Sequence, residues 1–283
     1  MKTFTVQIML AAAMLIPAAL PAQTYTEGYI NLPGFLPQAY GIDSNDQIVG
    51  YFYDNQNVSH GFVLSQGVMA QIDVPGAVNT TAYGIDSVAG IVGYSAPVFD
   101  AFAGMLDAKQ SFKMPKGSNG KVITAINSTG TFVGYTGNSE KAFISVKGVY
   151  IDVMPAACAA LPGPVSVLVN GVNSNGDYVG YCQGGRGKTA GFTHISGVDQ
   201  DFSVFNRPTF PFGINDSGTV VGFFADKSDM DHGFIYTAGT ATQYDFQGRT
   251  MTAILGINSR GSLTGITWDN SSPLWTGFYA FAN

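Results

Sequence analysis

The segment Gly171-Val172-Asn173-Ser174-Asn175-Gly176-Asp177-Tyr178-Val179-Gly180 decides the fold, because close copies of it recur along the whole chain. Each copy has glycine or alanine, an aliphatic residue and Asn or Asp, then a polar turn, a mostly apolar pair and glycine. The copies begin at Gly41, Gly84, Ala125, Gly171, Gly213 and Gly256, at intervals of 43, 41, 46, 42 and 43 residues. Self-similarity at such a period is the signature of a repeat architecture.

Each unit predicts a β-hairpin followed by two further strands. In Asn173-Ser174-Asn175-Gly176 an Asn side chain can bond the backbone, and glycine supplies the positive φ that a tight turn needs. The flanking residues are mostly aliphatic and β-branched, as in strands. A Phe within an apolar run follows in every unit, and a fourth run in most units ends near Pro, as in Ile72-Asp73-Val74-Pro75. Pro is tolerated at an edge, which makes the fourth strand the outer one.

The two ends of the chain complement each other. The last unit, from Gly256, has 28 residues and stops after its third strand, while residues 24–40 contain Tyr29-Ile30-Asn31-Leu32-Pro33-Gly34, a copy of the fourth-strand pattern. We therefore predict an all-β, six-bladed β-propeller in one domain, residues 24–283, closed by an N-terminal strand that completes the last blade. Deletion of residues 24–40 should destabilise the whole ring. An open β-solenoid is the alternative, and it would need distinct capping units.

Residues 1–23 resemble an export signal, with Lys2 before an apolar core and Leu20-Pro21-Ala22 before the expected cleavage point. No later segment has the run of roughly 18 uncharged apolar residues that a membrane helix requires. We therefore expect an exported monomer, extracellular or periplasmic, with no membrane span. The net charge of −6 and the absence of basic runs argue against a nucleic-acid partner.

Cys158 and Cys182 are the two cysteines of the chain. In an oxidising compartment they can form a disulfide, and two buried thiols are the alternative. A bridge would close a loop of 24 residues and stabilise the fold by roughly 3 kcal/mol. The longest departure from the period, residues 156–164, lies beside Cys158 and is either a plain insertion or a functional loop.

The third strands carry a family resemblance. They read His60-Gly61-Phe62, Asp100-Ala101-Phe102, Lys141-Ala142-Phe143, Ala190-Gly191-Phe192, His232-Gly233-Phe234 and Thr276-Gly277-Phe278. With the preceding hairpin motif they resemble the His-Ala-Phe motif of the bacterial extracellular HAF repeat family, although none of the six units has all three letters. The resemblance implies an exported repeat protein, and it carries no catalytic residues over to this chain.

The Asx residues of the hairpin motif are the predicted site. If the first strand of each unit lines the axis, these residues form a circle at one mouth of the channel: Asp43, Asp86, Asn127, Asn173, Asn215 and Asn258. Turn capping explains such residues by itself; binding of water, a cation or a sugar hydroxyl is the functional alternative. The aromatic residues that follow the Val-Gly pairs are expected to pack between blades, and a carbohydrate platform is the alternative: Tyr51, Tyr94, Tyr135, Tyr181 and Phe223.

No metal site or cofactor is predicted. His60 and His232 occupy equivalent repeat positions and are expected to support a neighbouring turn, because a zinc site needs three or four converging ligands. The sequence favours a binding or structural module that engages an extracellular polymer, surface or protein, with a glycan or a protein as ligand. A propeller hydrolase or lyase acting on extracellular polysaccharide is the alternative, since distant carboxylates can meet at the axis.

Overall fold

A computed structural model describes residues 23–96, 100–104, 112–113, 120–137, 141–269 and 272–283. The predicted export signal, apart from Gln23, lies outside the described residues. The described chain forms six four-stranded antiparallel sheets, each built from strands that are consecutive in sequence except at the closure. The predicted six-bladed β-propeller is confirmed.

The first three blades follow one another from the N-terminal side. Blade 1 contains β2 (Gln38–Ile42), β3 (Ile48–Tyr53), β4 (Ser59–Ser65) and β5 (Val68–Ile72). Blade 2 contains β6 (Asn79–Asp86), β7 (Gly90–Ala96), β8 (Asp100–Gly104) and β9 (Phe112–Lys113). Blade 3 contains β10 (Lys121–Ile126), β11 (Phe132–Thr136), β12 (Ala142–Val146) and β13 (Val149–Val153).

The remaining blades complete the ring. Blade 4 contains β14 (Ser166–Val172), β15 (Tyr178–Gln183), β16 (Thr189–Ile195) and β17 (Val198–Phe202). Blade 5 contains β18 (Thr209–Ile214), β19 (Val220–Ala225), β20 (Asp231–Thr237) and β21 (Thr240–Tyr244). Blade 6 contains β22 (Met251–Ile257), β23 (Leu263–Asp269), β24 (Ser272–Ala282) and the N-terminal β1 (Tyr25–Tyr29). A short helix, α1 (Ala156–Ala159), separates blades 3 and 4.

The N-terminal strand closes the ring as predicted. β1 pairs antiparallel with β24, with Tyr29 opposite Phe278, and the Ile30 amide donates to the Gly277 carbonyl at 2.9 Å. Leu32 lies beyond the strand and bridges Phe35 instead of β24. Ile30 therefore extends the pairing that closes the ring, and Leu32 packs against the cluster that Ile30 forms with blade 1.

The core lies between the blades. Each apolar cluster joins two consecutive blades; Ile30 of blade 6, for example, packs with Ile48 and Phe62 of blade 1. The Phe of each third strand is buried at such an interface, at Phe62, Phe102, Phe143, Phe192, Phe234 and Phe278. Because every blade needs both neighbours to bury its faces, stability depends on the complete ring.

A disulfide bond links the insertion between blades 3 and 4 to blade 4. Cys158 in α1 forms a disulfide with Cys182 of β15, and both side chains are fully buried in the cluster that joins these blades. Of the two states considered for these cysteines, the structure has the bridged one. In the described part of the chain, no helix has the length and apolarity required to cross a membrane.

Candidate functional site: the two mouths of the central axis

The innermost strand of every blade carries a β-bulge at the residue before the motif glycine or alanine. In β2, for example, the register with β3 jumps from Ala39 to Gly41 and leaves Tyr40 unpaired. Bulges re-aim side chains out of the regular alternation. The bulged residues of the six blades are Tyr40, Tyr83, Thr124, Asn170, Phe212 and Leu255.

The bulged residues line one end of the axis. Together with three residues of blades 3 and 4 they enclose a cavity of about 180 Å³, which we call the aromatic mouth: Tyr40, Tyr83, Thr124, Tyr135, Leu168, Asn170, Tyr181, Phe212 and Leu255. Five of these nine side chains are aromatic and none is charged at neutral pH. Such a lining suits an uncharged ligand with a flat apolar face.

The aromatic rings support one another. Tyr83 meets Tyr40 edge to face, with ring centroids 4.9 Å apart, and stacks on Tyr94 at 6.0 Å. Burial raises the pKa of Tyr40 and raises that of Tyr83 well above its ordinary value, so both phenols are neutral at physiological pH. The rings therefore form a rigid, uncharged surface.

The predicted packing of the aromatic residues after the Val-Gly pairs between blades is confirmed for Tyr51 and Tyr181. Tyr51 stacks on Tyr40 of its own blade and meets Tyr83 of the next blade edge to face, with ring centroids 6.5 Å apart. Tyr181 packs on Phe210 and Phe212 of blade 5. Tyr135 and Tyr181 line the aromatic mouth directly. The bulge turns an additional side chain toward the axis beside the aromatic residue of the second strand.

The motif glycines bring the innermost strands together below the aromatic mouth. A Cβ on Gly256 would lie 2.6 Å from the Tyr40 carbonyl oxygen, and one on Gly171 would lie 2.6 Å from that of Phe212. The cavity at this level is about 70 Å³. The axis thus narrows to a waist, which separates the two mouths.

All six predicted Asx residues lie at the opposite end of the axis, which we call the polar mouth. Its cavity of about 270 Å³ is lined by these residues, by the aliphatic residue before each and by the residue after each. The Asp86 side chain is half-buried and the other five are buried.

The Asn side chains of this ring form hydrogen bonds with the protein backbone. Each Oδ1 accepts one or two backbone N–H groups of its own turn; Asn173 Oδ1, for example, accepts those of Asn175 at 3.0 Å and Asp177 at 2.9 Å. Each Nδ2 donates to the backbone carbonyl of the corresponding Asx residue in the next blade. These bonds run from Asn127 to Asn173 (2.7 Å), Asn173 to Asn215 (3.1 Å), Asn215 to Asn258 (3.1 Å) and Asn258 to Asp43 (2.9 Å). The Asn amides therefore cap turns and also join blades.

The groups that face solvent at the polar mouth belong to the next position in the repeat: Ser44, Ser87, Ser128, Ser174, Asp216 and Ser259. Ser44 and Ser87 are hydrogen-bonded across two blades at 3.0 Å, and Ser128 donates to Ser174 at 3.1 Å. Sequence reasoning missed this ring, although the small polar residue after each Asx was its signal.

The histidines lie near the outer strands and not at either mouth. His60 Nδ1 is 2.8 Å from Asp73 Oδ1, and its Nε2 is 3.5 Å from Asp54 Oδ2; His232 repeats this arrangement with Asp245 and Asp226. Burial favours the neutral ring of His60, but the bonds and charges of its two Asp partners outweigh burial and raise its pKa. Across the described ranges, no three His, Cys, Asp or Glu side chains converge as metal ligands.

Comparison with known proteins yields similarity of fold. No protein-family model matches the sequence, and no curated protein matches it. Among solved structures, a candidate gluconolactonase aligns over 93% of both chains with 12% identity and a TM-score of 0.52. Regucalcin from Agrobacterium tumefaciens, a calcium-binding protein, aligns over 91% of this chain and 94% of its own, with 10% identity and a TM-score of 0.53. At these identities the similarity establishes the propeller fold alone.

Proposed function

We propose that this protein is an exported binding module of the HAF repeat type that engages an extracellular glycan at its aromatic mouth. The observation that carries the proposal is the lining of that cavity, in which five aromatic side chains converge from several blades without a charged group. Bulges in the innermost strands aim Tyr40, Tyr83 and Phe212, while Tyr135 and Tyr181 come from paired second strands.

The size of the cavity indicates one sugar unit as the bound element. Pockets for drug-sized ligands have volumes of about 300–1,000 Å³, whereas this cavity has about 180 Å³. A pyranose offers a flat C–H face to an aromatic ring and carries no charge, which matches this lining. Because the waist lies below, we expect a chain end or a protruding unit to enter from one side.

The chemistry of the aromatic mouth favours binding over catalysis. Glycoside hydrolysis commonly needs a pair of carboxyl groups flanking the bond, and none of the nine lining residues carries one. The carboxyl groups at the axis, such as Asp43 and Asp86, lie at the polar mouth beyond the waist. The enzyme alternative is therefore kept as an outcome of the experiment.

A glycan array followed by calorimetry on the best ligand tests the proposal. Phe212→Ala removes one aromatic wall and should weaken binding about tenfold, the equivalent of about 1.4 kcal/mol. Phe205→Ala is the matched control, because Phe205 is an exposed aromatic residue that lines neither mouth. Equal affinities for wild type and Phe212→Ala would refute this site, and release of product from the ligand would establish the enzyme instead.

Export is tested separately. Expression of the full chain in a bacterium with a general secretion pathway should place the protein outside the cytoplasm, with a new N-terminus near Gln23. Mass spectrometry of the periplasmic and medium fractions measures this, and an intact Met1 in a cytoplasmic product would contradict it.

A further inference from the structure

The ring of Asn amides is interrupted at blades 1 and 2, where Asp43 and Asp86 replace the Asn, and only the Asp43 side chain is buried. Asp43 Oδ1 accepts the Asn45 and Gln47 amides at 2.9 and 2.8 Å, as the Asn Oδ1 atoms do in their turns. Asp43 Oδ2 is buried and has no hydrogen-bond partner. A buried acceptor without a partner costs about 1–3 kcal/mol, and more when it is charged, so this atom calls for an explanation.

The repeat indicates what Oδ2 would face. In blades 3, 4, 5 and 6 the equivalent atom is an Nδ2 that donates to the next Asx carbonyl at 2.7 to 3.1 Å. The Ser44–Ser87 distance of 3.0 Å matches the Ser128–Ser174 distance of 3.1 Å, so the joint between blades 1 and 2 has the spacing of the others. By its place in the repeat, the partner of Asp43 Oδ2 would be the Asp86 carbonyl oxygen, so that two hydrogen-bond acceptors would face each other.

A proton fits between these two oxygens better than a metal ion does. Calcium requires six to eight oxygen ligands at about 2.3–2.6 Å, and the acidic side chains here do not form a metal-ligating group among the described residues. A hydrogen bond between two oxygens needs about 2.5–3.0 Å and nothing more. The spacing of the neighbouring joints is close to that value.

The charges around Asp43 also favour its neutral form. Asp46 of the same turn and Asp86 of the next blade are the acidic groups that act on it. On the other side of blade 1, Arg260 of blade 6 pairs with Asp46, which also accepts the Asn258 amide at 2.8 Å. Burial raises the pKa of Asp43, the two turn amides lower it, and the charges of Asp86 and Asp46 raise it again, with a net increase.

We propose that Asp43 is held as a neutral carboxylic acid whose Oδ2 donates to the Asp86 carbonyl, so that the joint between blades 1 and 2 depends on a bound proton. The direction of the pH effect follows. A carboxyl group whose pKa is higher in the folded than in the unfolded chain stabilises the fold fully below about pH 3.9. That contribution is lost as the pH rises through the pKa of Asp43 in the folded chain. Above that pH the Asp43 carboxylate and the Asp86 carbonyl are both hydrogen-bond acceptors, and no proton joins them.

Thermal unfolding of Asp43→Asn between pH 4 and pH 8 tests the proposal. The amide donates at every pH, so the variant should melt about 2–4 °C above wild type at pH 8, with the difference shrinking toward pH 4. Asn127→Asp replaces a side-chain amide by a carboxyl group at the joint between blades 3 and 4. The melting temperature of this variant should therefore fall as the pH rises. Asp216→Asn, an exposed carboxylate at the same mouth, is the matched control and should follow wild type.

Two results would overturn the proposal. One is a difference between Asp43→Asn and wild type that does not change with pH. The other is a melting temperature of wild type, but not of Asp43→Asn, that rises with added CaCl₂ after EDTA treatment, because a cation would then bridge the oxygens. Infrared difference spectra provide an independent readout, since a protonated-carboxyl band present in wild type at neutral pH should be absent in Asp43→Asn.

Discussion

At the residue scale, the glycine that follows the apolar pair is the most constrained position of the repeat. In every blade a Cβ at this glycine would overlap the carbonyl oxygen of the innermost strand; in blade 4, Gly180 would overlap the Leu168 oxygen. The positions are Gly50, Gly93, Gly134, Gly180, Gly222 and Gly265. The glycine of the Val-Gly pair is therefore required because the first and second strands of the blade approach closely next to the bulge, and not because it lies in a turn.

Gly180→Ala should consequently unfold or strongly destabilise the protein, because the obstacle is backbone that cannot move aside. Gly176→Ala is the control: its methyl group would meet no atom within 4 Å, although φ is +83°, and we expect a cost of about 1–2 kcal/mol. Urea unfolding of the two variants measures the difference. Similar midpoints for both would show that the overlap is relieved cheaply.

At the element scale, the bulge determines which side chains line each mouth of the axis. It lets one innermost strand present an aromatic residue to one mouth and an Asx residue, three positions later, to the other, as Tyr40 and Asp43 do in β2 and its turn. The hairpin and its turn were predictable from local sequence. The bulge was not, because an unpaired residue is defined by the partner strand, and Thr124 and Leu255 give no aromatic signal.

The disulfide acts on another element, the insertion that contains α1. Replacing both cysteines with Ala, Cys158→Ala together with Cys182→Ala, should lower the free energy of unfolding by roughly 3 kcal/mol, the value for a closed loop of 24 residues. Urea titrations with and without reductant measure this. Reductant should shift wild type and leave the double variant unchanged, whereas an unaffected wild type would contradict a stabilising role.

At the scale of the whole molecule, closure is the basis of stability. Each core cluster joins two blades, and the cluster between blades 6 and 1 includes Ile30 from the chain that follows β1. Deletion of residues 24–40 would also remove part of β2, which begins at Gln38. A narrower deletion therefore tests closure itself.

Deletion of residues 24–32 should lower the melting temperature of the entire ring in one transition. It removes Ile30, whose burial alone is worth about 1.5–3 kcal/mol, and it exposes the edge of β24. Differential scanning calorimetry measures the transition, and a synthetic peptide of residues 24–32 should restore part of the loss. A truncated protein that melts like wild type would show that the ring does not need β1.

The sequence by itself determined the number of blades, their strands and the closure, because turn glycines, Asx caps and apolar alternation act within a few residues and recur at a constant period. It also placed the six Asx residues around one mouth. Tertiary structure alone decided what those residues do, since each Asn amide bonds a carbonyl some 42 to 46 residues away in the next blade or, for Asn258, across the closure. It likewise decided the aromatic mouth, because a cavity on the axis is assembled from one to three side chains per blade and no local pattern records their convergence.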